Sequence, residues 1–145
     1  MKDSYKLKHE LENRPIITGI FTVDKTQDVT FQNMKIIRKV FKNCEIAYAN
    51  FNHSVFQNCT FDNVIFHHCE LTDTDFFECH FRFCKFVNML FIGTGFIKCQ
   101  VNEMYFTYCA GIEKNLEEYK DNVDVLEKIY RQDRNYLQSK NIINS

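Results

Sequence analysis

Residues 51–70 read FNHSVFQNCTFDNVIFHHCE, and these twenty residues decide the fold. Phe51, Phe56, Phe61 and Phe66 fall at every fifth position. Two places before each stands a smaller side chain: Ala49, Ser54, Cys59 and Val64. The same frame extends outward without a break from residue 29 to residue 108. Its centre positions are also held by Phe31, Ile36, Phe41, Ile46, Leu71, Phe76, Phe81, Phe86, Phe91, Phe96, Val101 and Phe106. Its second column continues with Val29, Met34, Lys39 and Cys44 on one side, and with Cys69, Thr74, Cys79, Cys84, Met89, Thr94, Cys99 and Met104 on the other.

A period of five matches neither the 3.6 residues of a helical turn nor the two of a flat strand. It requires a backbone that returns the same side chain to the interior every five residues. A square coil does this, with four short extended segments per turn, one pentapeptide per side and twenty residues per coil. Coils then stack at about the 4.8 Å spacing of neighbouring strands, bonded above and below. The frame gives about four coils, a column roughly 20 Å tall at that spacing. The centre residue fills the axis, and the residue two before it points inward toward a corner. A large ring and a small group can then share a narrow lumen at close-packed density, with columns of Phe as the core.

The units CEIAY (44–48), ANFNH (49–53), CTFDN (59–63), CELTD (69–73), TDFFE (74–78) and CKFVN (84–88) resemble pentapeptide repeats of the A-[DN]-[LF]-x-x type. The resemblance to the pentapeptide repeat family covers more than half of the chain. It implies an all-β solenoid, a right-handed quadrilateral β-helix. Two departures stand out. The position before the centre is mixed, as at Thr30, Lys35, Val40 and Glu45. The inward small position holds Lys39 once. An unpaired charge is costly to bury, so the first coil is expected to be loose near Lys39.

The bulk composition fits one domain. The 145 residues contain 15 Phe, no Trp, four Gly and one Pro. So few Gly and Pro leave little material for conventional tight turns, and the chain must bend by another device. A net charge of −1 argues against a general nucleic-acid binder and against a uniformly acidic decoy. No apolar run approaches the roughly 18 residues of a membrane span. The charged start lacks a signal-like apolar segment, so cytoplasmic residence is expected.

The flanks divide the chain further. Residues 1–28 read as an N-terminal cap, with a short helix over Tyr5–Asn13, Asp3 or Ser4 as its N-cap, and Pro15 ending it. Ile16 and Phe21 fit the frame of five and Thr26 does not, so any coil here is imperfect. Residues 29–111 are the pentapeptide-repeat β-helix. In residues 112–145, Leu116, Tyr119, Val123, Leu126, Tyr130 and Leu137 recur at three- and four-residue steps, predicting a C-terminal amphipathic α-helix. It would cap the last coil, whose open edge invites aggregation, or join two copies as a homodimer. The family resemblance implies the second use, end to end.

The densest chemistry in the sequence is His67, His68, Cys69, Glu70, Cys79, His80 and Cys84, residue types that suit zinc. The frame argues against it. All seven cysteines (Cys44, Cys59, Cys69, Cys79, Cys84, Cys99 and Cys109) fall in the inward small column, while His67 and His68 take outward positions. The thiols therefore read as reduced, small, buried packing groups. No phosphate-binding or nucleophile motif is present, so no cofactor, metal or catalytic residue is expected and the protein reads as a non-enzyme.

Function is thereby confined to the outer faces. The side built from 44–48, 64–68, 84–88 and 104–108 is the most apolar and aromatic. The side from 34–38, 54–58, 74–78 and 94–98 is read as its neighbour. Phe77 and Phe83, the two Phe outside the frame, are expected to be exposed. The candidate partner-binding residues are Tyr48, Ile65, Val87, Tyr105, Tyr108, Phe77 and Phe83. A second reading rests on charge. Between residues 43 and 81 lie Glu45, Asp62, Glu70, Asp73, Asp75 and Glu78, with no Lys or Arg. Resemblance to the quinolone-resistance pentapeptide rods implies that such a belt could imitate DNA phosphates and inhibit a nucleic-acid enzyme, such as a type II topoisomerase or a defence nuclease. The primary reading is a protein–protein interaction scaffold that binds neither nucleic acid nor membrane directly.

Overall fold

The computed structural model describes residues 3–109, and they form a parallel-strand β-solenoid of about five turns preceded by one short helix. The helix α1 spans Asp3–Asn13. The strands are β1 (Ile16–Thr22), β2 (Lys35–Ile37), β3 (Val40–Ala47), β4 (Val55–Gln57), β5 (Thr60–His67), β6 (Asp75–Phe77), β7 (His80–Val87), β8 (Gly95–Ile97) and β9 (Gln100–Thr107). One sheet has the order β1-β3-β5-β7-β9, the other β2-β4-β6-β8. Strand pairing advances by twenty residues: Phe41 lies beside Phe61, Phe61 beside Phe81, and Phe81 beside Val101.

Each long strand wraps two sides of the square. Side A carries residues 40–42, 60–62, 80–82 and 100–102, and side B carries 45–47, 65–67, 85–87 and 105–107. Side C follows at 50–52, 70–72 and 90–92, marked by the bridges Asn50↔Glu70 and Glu70↔Leu90. Side D is the short sheet, β2, β4, β6 and β8.

The corners are made two residues after each centre. From Asn33 to Tyr108, every fifth residue has a φ near +50 to +63°, including Arg38, Asn43, Tyr48, His68, Phe83 and Lys98, with Gly93 in the same series. This left-handed conformation is unfavourable for most L-residues and least so for Gly, Asn and Asp. Here it replaces the absent Gly and Pro turns, at a strain the stacked coils must offset.

Centre residues from Phe31 to Phe96 are at most 2% exposed. Three columns of rings stack in parallel: Phe41/Phe61/Phe81 at 4.8 Å, Phe56/Phe76/Phe96 at 4.8 and 5.0 Å, and Phe66/Phe86/Phe106 at 5.3 and 5.4 Å. Across the lumen the columns meet edge to face, as in Phe51–Phe56 at 5.3 Å and Phe76–Phe81 at 5.4 Å. Both geometries suit the ring quadrupole. The fourth column is irregular, because Leu71 interrupts it and Phe31 is tilted 58° to Phe51.

The small column does more than fill space. Ser54 Oγ donates to the Phe31 carbonyl at 2.9 Å, and Thr94 Oγ1 to that of Leu71 at 2.7 Å. The thiols do the same: Cys79 Sγ to Phe56 O at 3.2 Å, Cys84 Sγ to Phe61 O at 3.2 Å and Cys109 Sγ to Phe86 O at 3.1 Å. In every case the acceptor is the centre residue 23 positions earlier, one coil below. Thiol and hydroxyl are therefore interchangeable donors here, a role hidden by reading Cys only as a small hydrophobe.

The N-terminal end is closed by α1, which buries Leu7 and Leu11 in the core and leaves Tyr5 47% exposed. The expected N-cap groups are used differently. Asp3 Oδ2 accepts from the Thr22 N–H at 2.9 Å and Ser4 Oγ from the Asp24 N–H at 2.8 Å, tying the helix to the first coil. Lys8 Nζ donates to the Thr30 carbonyl at 2.6 Å and lies 5.7 Å from the Phe31 ring.

Two expectations about the first coil change. Residues 16–22, read with the cap, form β1 and pair with β3. Their frame was obscured because Ile17 pairs with Phe41 but Phe21 with Ile46, across an irregularity at Gly19. The first coil thus holds four to five residues more than those above it. Nor is the coil loose at Lys39. That residue is half-buried, and its Nζ donates to the Arg14 carbonyl at 2.7 Å, so the ammonium reaches the end of the rod and finds a partner. The splay lies instead just before Phe31. The C-terminal helix expected over Leu116–Leu137 lies outside the described residues.

Candidate functional site

The strands of side B hold their outward residues in register. One row runs Ile20, Glu45, Ile65, Lys85, Tyr105, and the next runs Thr22, Ala47, His67, Val87, Thr107. Ile65, Val87 and Tyr105 are half-buried and share this side. Ile20, which the sequence reading did not include, is 68% exposed and begins the same row. The row is not wholly apolar, because charged residues alternate with it. Glu45 Oε1 faces His67 Nε2 at 2.9 Å, which leaves Lys85 as the charge between Ile65 and Tyr105. Toward the C-terminal end a shallow groove of about 520 Å³ opens on this side, its described lining being Lys85, Val87, Tyr105 and Thr107.

The remaining candidates lie elsewhere. Tyr48 and Tyr108 occupy the corner between sides B and C, 38% and 59% exposed. Tyr48 stacks on the His68 ring at 4.9 Å, with Lys25 Nζ 5.9 Å from its centroid. Phe83 is 50% exposed at the corner between sides A and B. Phe77 is not exposed as expected. It is half-buried on side D, with Lys98 Nζ 5.9 Å from its ring. Side D is also not the neighbour of side B: the chain passes through side C between them, so Phe77 cannot join Ile65 in one patch.

The acidic residues encircle the rod rather than forming a stripe. Glu45 is on side B, Asp62 on A, Glu70 on C and Asp75 on D, while Asp73 and Glu78 are at the corners flanking side D. Asp62 stands between Lys42 and Arg82 in strand register. Asp73 Oδ2 is 3.6 Å from His53 Nδ1. Asp75 is desolvated and next to Asp73, and both effects raise its pKa.

The inward thiols are shielded by the coils, and hydrogen bonding with Cys79 lowers the pKa of Cys59 and Cys99. All seven are buried, and none is in a disulfide. Burial pushes Cys44 and Cys69 up to about 12 and Cys84 up to about 11. Hydrogen bonding to Cys59 and Cys99 on either side, then burial, raises Cys79. His67 and His68 point outward, on the opposite side of the strand from Cys69. Among the described residues no group of three His, Cys, Asp or Glu is placed to hold a metal ion, and no helix is long and apolar enough to cross a membrane.

The fold and its outward rows define the class: a four-sided parallel β-solenoid of pentapeptides. The chain belongs to the family described as the SV2A/B/C luminal domain, which matches residues 2–86, more than half of its length. Among solved structures, QnrB1, a plasmid-mediated fluoroquinolone resistance protein, superposes with a TM-score of 0.35 at 13% identity over 68% of this chain. The chain spans 58% of the length of that protein. No curated protein sequence matches it.

Proposed function

We propose that the protein is a non-enzymatic interaction module that docks a protein partner on side B. The observation that carries this is the set Ile20, Ile65, Val87 and Tyr105, held in strand register along side B, with Val87 and Tyr105 lining the groove beside Lys85. Apolar residues held half-open on a rigid sheet cost little ordering on binding, which favours docking there. A partner with an apolar anchor and a carboxylate for Lys85 would fit. The distribution of acids supports this reading over DNA mimicry. Six carboxylates spread around four sides, three of them beside His or basic neighbours, do not reproduce a line of phosphates.

Two further readings accompany the proposal. The segment carrying Leu116, Tyr119, Val123, Leu126, Tyr130 and Leu137 closes the C-terminal end or pairs two copies, and sedimentation of a chain ending at Gly111 tests the pairing. Seven thiols without a disulfide suit a reducing compartment such as the cytoplasm, whereas the family's description names a luminal domain.

The docking test compares the protein with Val87→Asp and Tyr105→Ser in affinity capture from the native host, at low salt and at high salt. A partner retained at high salt by the unaltered protein and lost from both variants supports apolar docking. Capture that vanishes with salt, and survives both substitutions but not Asp62→Asn with Glu78→Gln, would transfer the function to the acidic belt.

A further inference from the structure

The surplus residues of the first coil create a feature the regular coils lack. Between Thr22 and Phe31 they leave the frame as a loop. Side C then loses continuity: the ladder Asn50↔Glu70↔Leu90 has no bridge from Thr30 to Asn50 among the described residues. The Phe31 ring is tilted by 58° to Phe51, whereas the same-column pairs Phe41/Phe61 and Phe56/Phe76 lie within 11° of parallel. The first coil is bonded to the second from Phe31 onward, but just before it that pairing is missing, and a cleft of about 200 Å³ opens there. A cavity of about 150 Å³ is enough for a benzene-sized molecule.

The lining has a definite chemistry. Phe31 forms an apolar floor with Val23 and Val29, and Tyr48 is a wall. Lys25 and Glu70 bring one charge of each sign, and Asn50 contributes an amide. The ion pairs among the described residues are Arg14–Glu10, His53–Asp73 and His67–Glu45. Lys25 and Glu70 therefore share a cleft without closing on each other. The Lys25 ammonium lies 5.9 Å from the Tyr48 ring, a contact that positions it at the wall. The Asn50 Oδ1 is engaged by the Asn52 N–H at 2.9 Å, which turns the amide nitrogen into the available donor.

We propose that this cleft binds a small α-amino acid with an apolar side chain. Its carboxylate meets Lys25 and the Asn50 amide, its ammonium meets Glu70, and its side chain covers Phe31 against Tyr48. Opposite charges held apart in one small cleft match a zwitterion better than a simple anion or cation. A simple anion or cation would engage only one of the two charges. The site is independent of the docking surface on side B.

The test is an NMR titration of the full chain, labelled with 15N, against free L-leucine and L-phenylalanine up to about 10 mM, the weak end of specific affinity. Saturable shifts at Lys25, Tyr48, Asn50 and Glu70 are expected. N-acetyl-leucine, without the ammonium, and leucinamide, without the carboxylate, should each bind about tenfold more weakly, a difference of about 1.4 kcal/mol. Glu70→Gln should remove the preference for leucine over N-acetyl-leucine, and Lys25→Ala the preference over leucinamide, with dispersed spectra showing that both variants fold. No shifts in the cleft with either amino acid, or equal binding of leucine and both blocked analogues, would overturn the proposal.

Discussion

The hydroxyl of Thr74 donates to the carbonyl of Phe51, 23 residues earlier, at 2.7 Å. Both groups are buried, and the carbonyl also accepts from the Ser54 N–H at 3.1 Å, so the hydroxyl supplies its second bond. Thr74→Val keeps the shape and removes that donor, and should cost about 0.5–1.5 kcal/mol in urea unfolding. Thr74→Ser should cost less than valine. A valine variant as stable as the parent would show that this ladder of donors contributes nothing.

Phe66 is fully buried, stacked at 5.3 Å on Phe86 and tilted at 5.7 Å against Phe61. Its truncation to Ala should cost about 3–5 kcal/mol, because the rigid coils above and below cannot collapse into the space. Chemical denaturation measures this directly.

Gly93 takes a corner position at φ +63°, and a Cβ there would collide with the Asp73 carboxylate of the coil below. Gly93→Ala should destabilise by about 1 kcal/mol or more. Adding Asp73→Ala should restore part of the loss, because the carboxylate is the obstacle. Additive melting-temperature changes in the double variant would assign the whole effect to backbone conformation instead.

Asp75 has a pKa above the ordinary 3.8, first from burial and then from Asp73. A carboxyl whose folded pKa is raised favours the fold while protonated. That contribution is complete below 3.8 and is lost as pH rises through the folded value. Asp75→Asn should therefore be more stable than the parent at neutral pH, and the gap should close in acid. Equal urea midpoints at pH 7 would contradict the sign.

The seven thiols are buried, with Cys44 and Cys69 pushed up to about 12. The thiolate is the reactive form. Cys59 and Cys99 are shifted the other way by Cys79, so burial is the protection common to all seven, and N-ethylmaleimide at pH 8 should label none of the described cysteines until denaturant unfolds the coils, as read by intact mass. Rapid labelling of Cys79 in the native protein would place that column at the surface.

The repeat was legible because one large residue in five is enough to set the axis, and the interior tolerates only Phe, Leu, Ile or Val there. The corners were not. Asn33, Asn43, Asn58, Asn63 and Asn88 carry a turn preference, but Arg38, Phe83 and Lys98 adopt the same φ with none; the stacking of coils imposes it. The first strand was hidden by the surplus residues before Phe31, which broke the count at Thr26. Counting in twenties puts Ile65, Val87 and Tyr105 on one side of the coil, and strand register does the same. Phe77 was misplaced because the count gives each side's residues but the sides were set in the wrong order around the square. The cleft at Lys25 was invisible, since a splay between two coils is a property of their packing and leaves no period in the sequence.

The donors that reach back 23 residues give the rod a direction. Val29 and Met34, in the first coil, have no hydroxyl or thiol, and from Ser54 onward such groups recur. Each coil presents carbonyls to which only the next coil's hydroxyls and thiols add a side-chain bond. A ribosome releases the chain in that same order, so every twenty residues that emerge complete the coil already formed. Growth proceeds from a finished helical end toward an unfinished one, without waiting for any distant part of the chain.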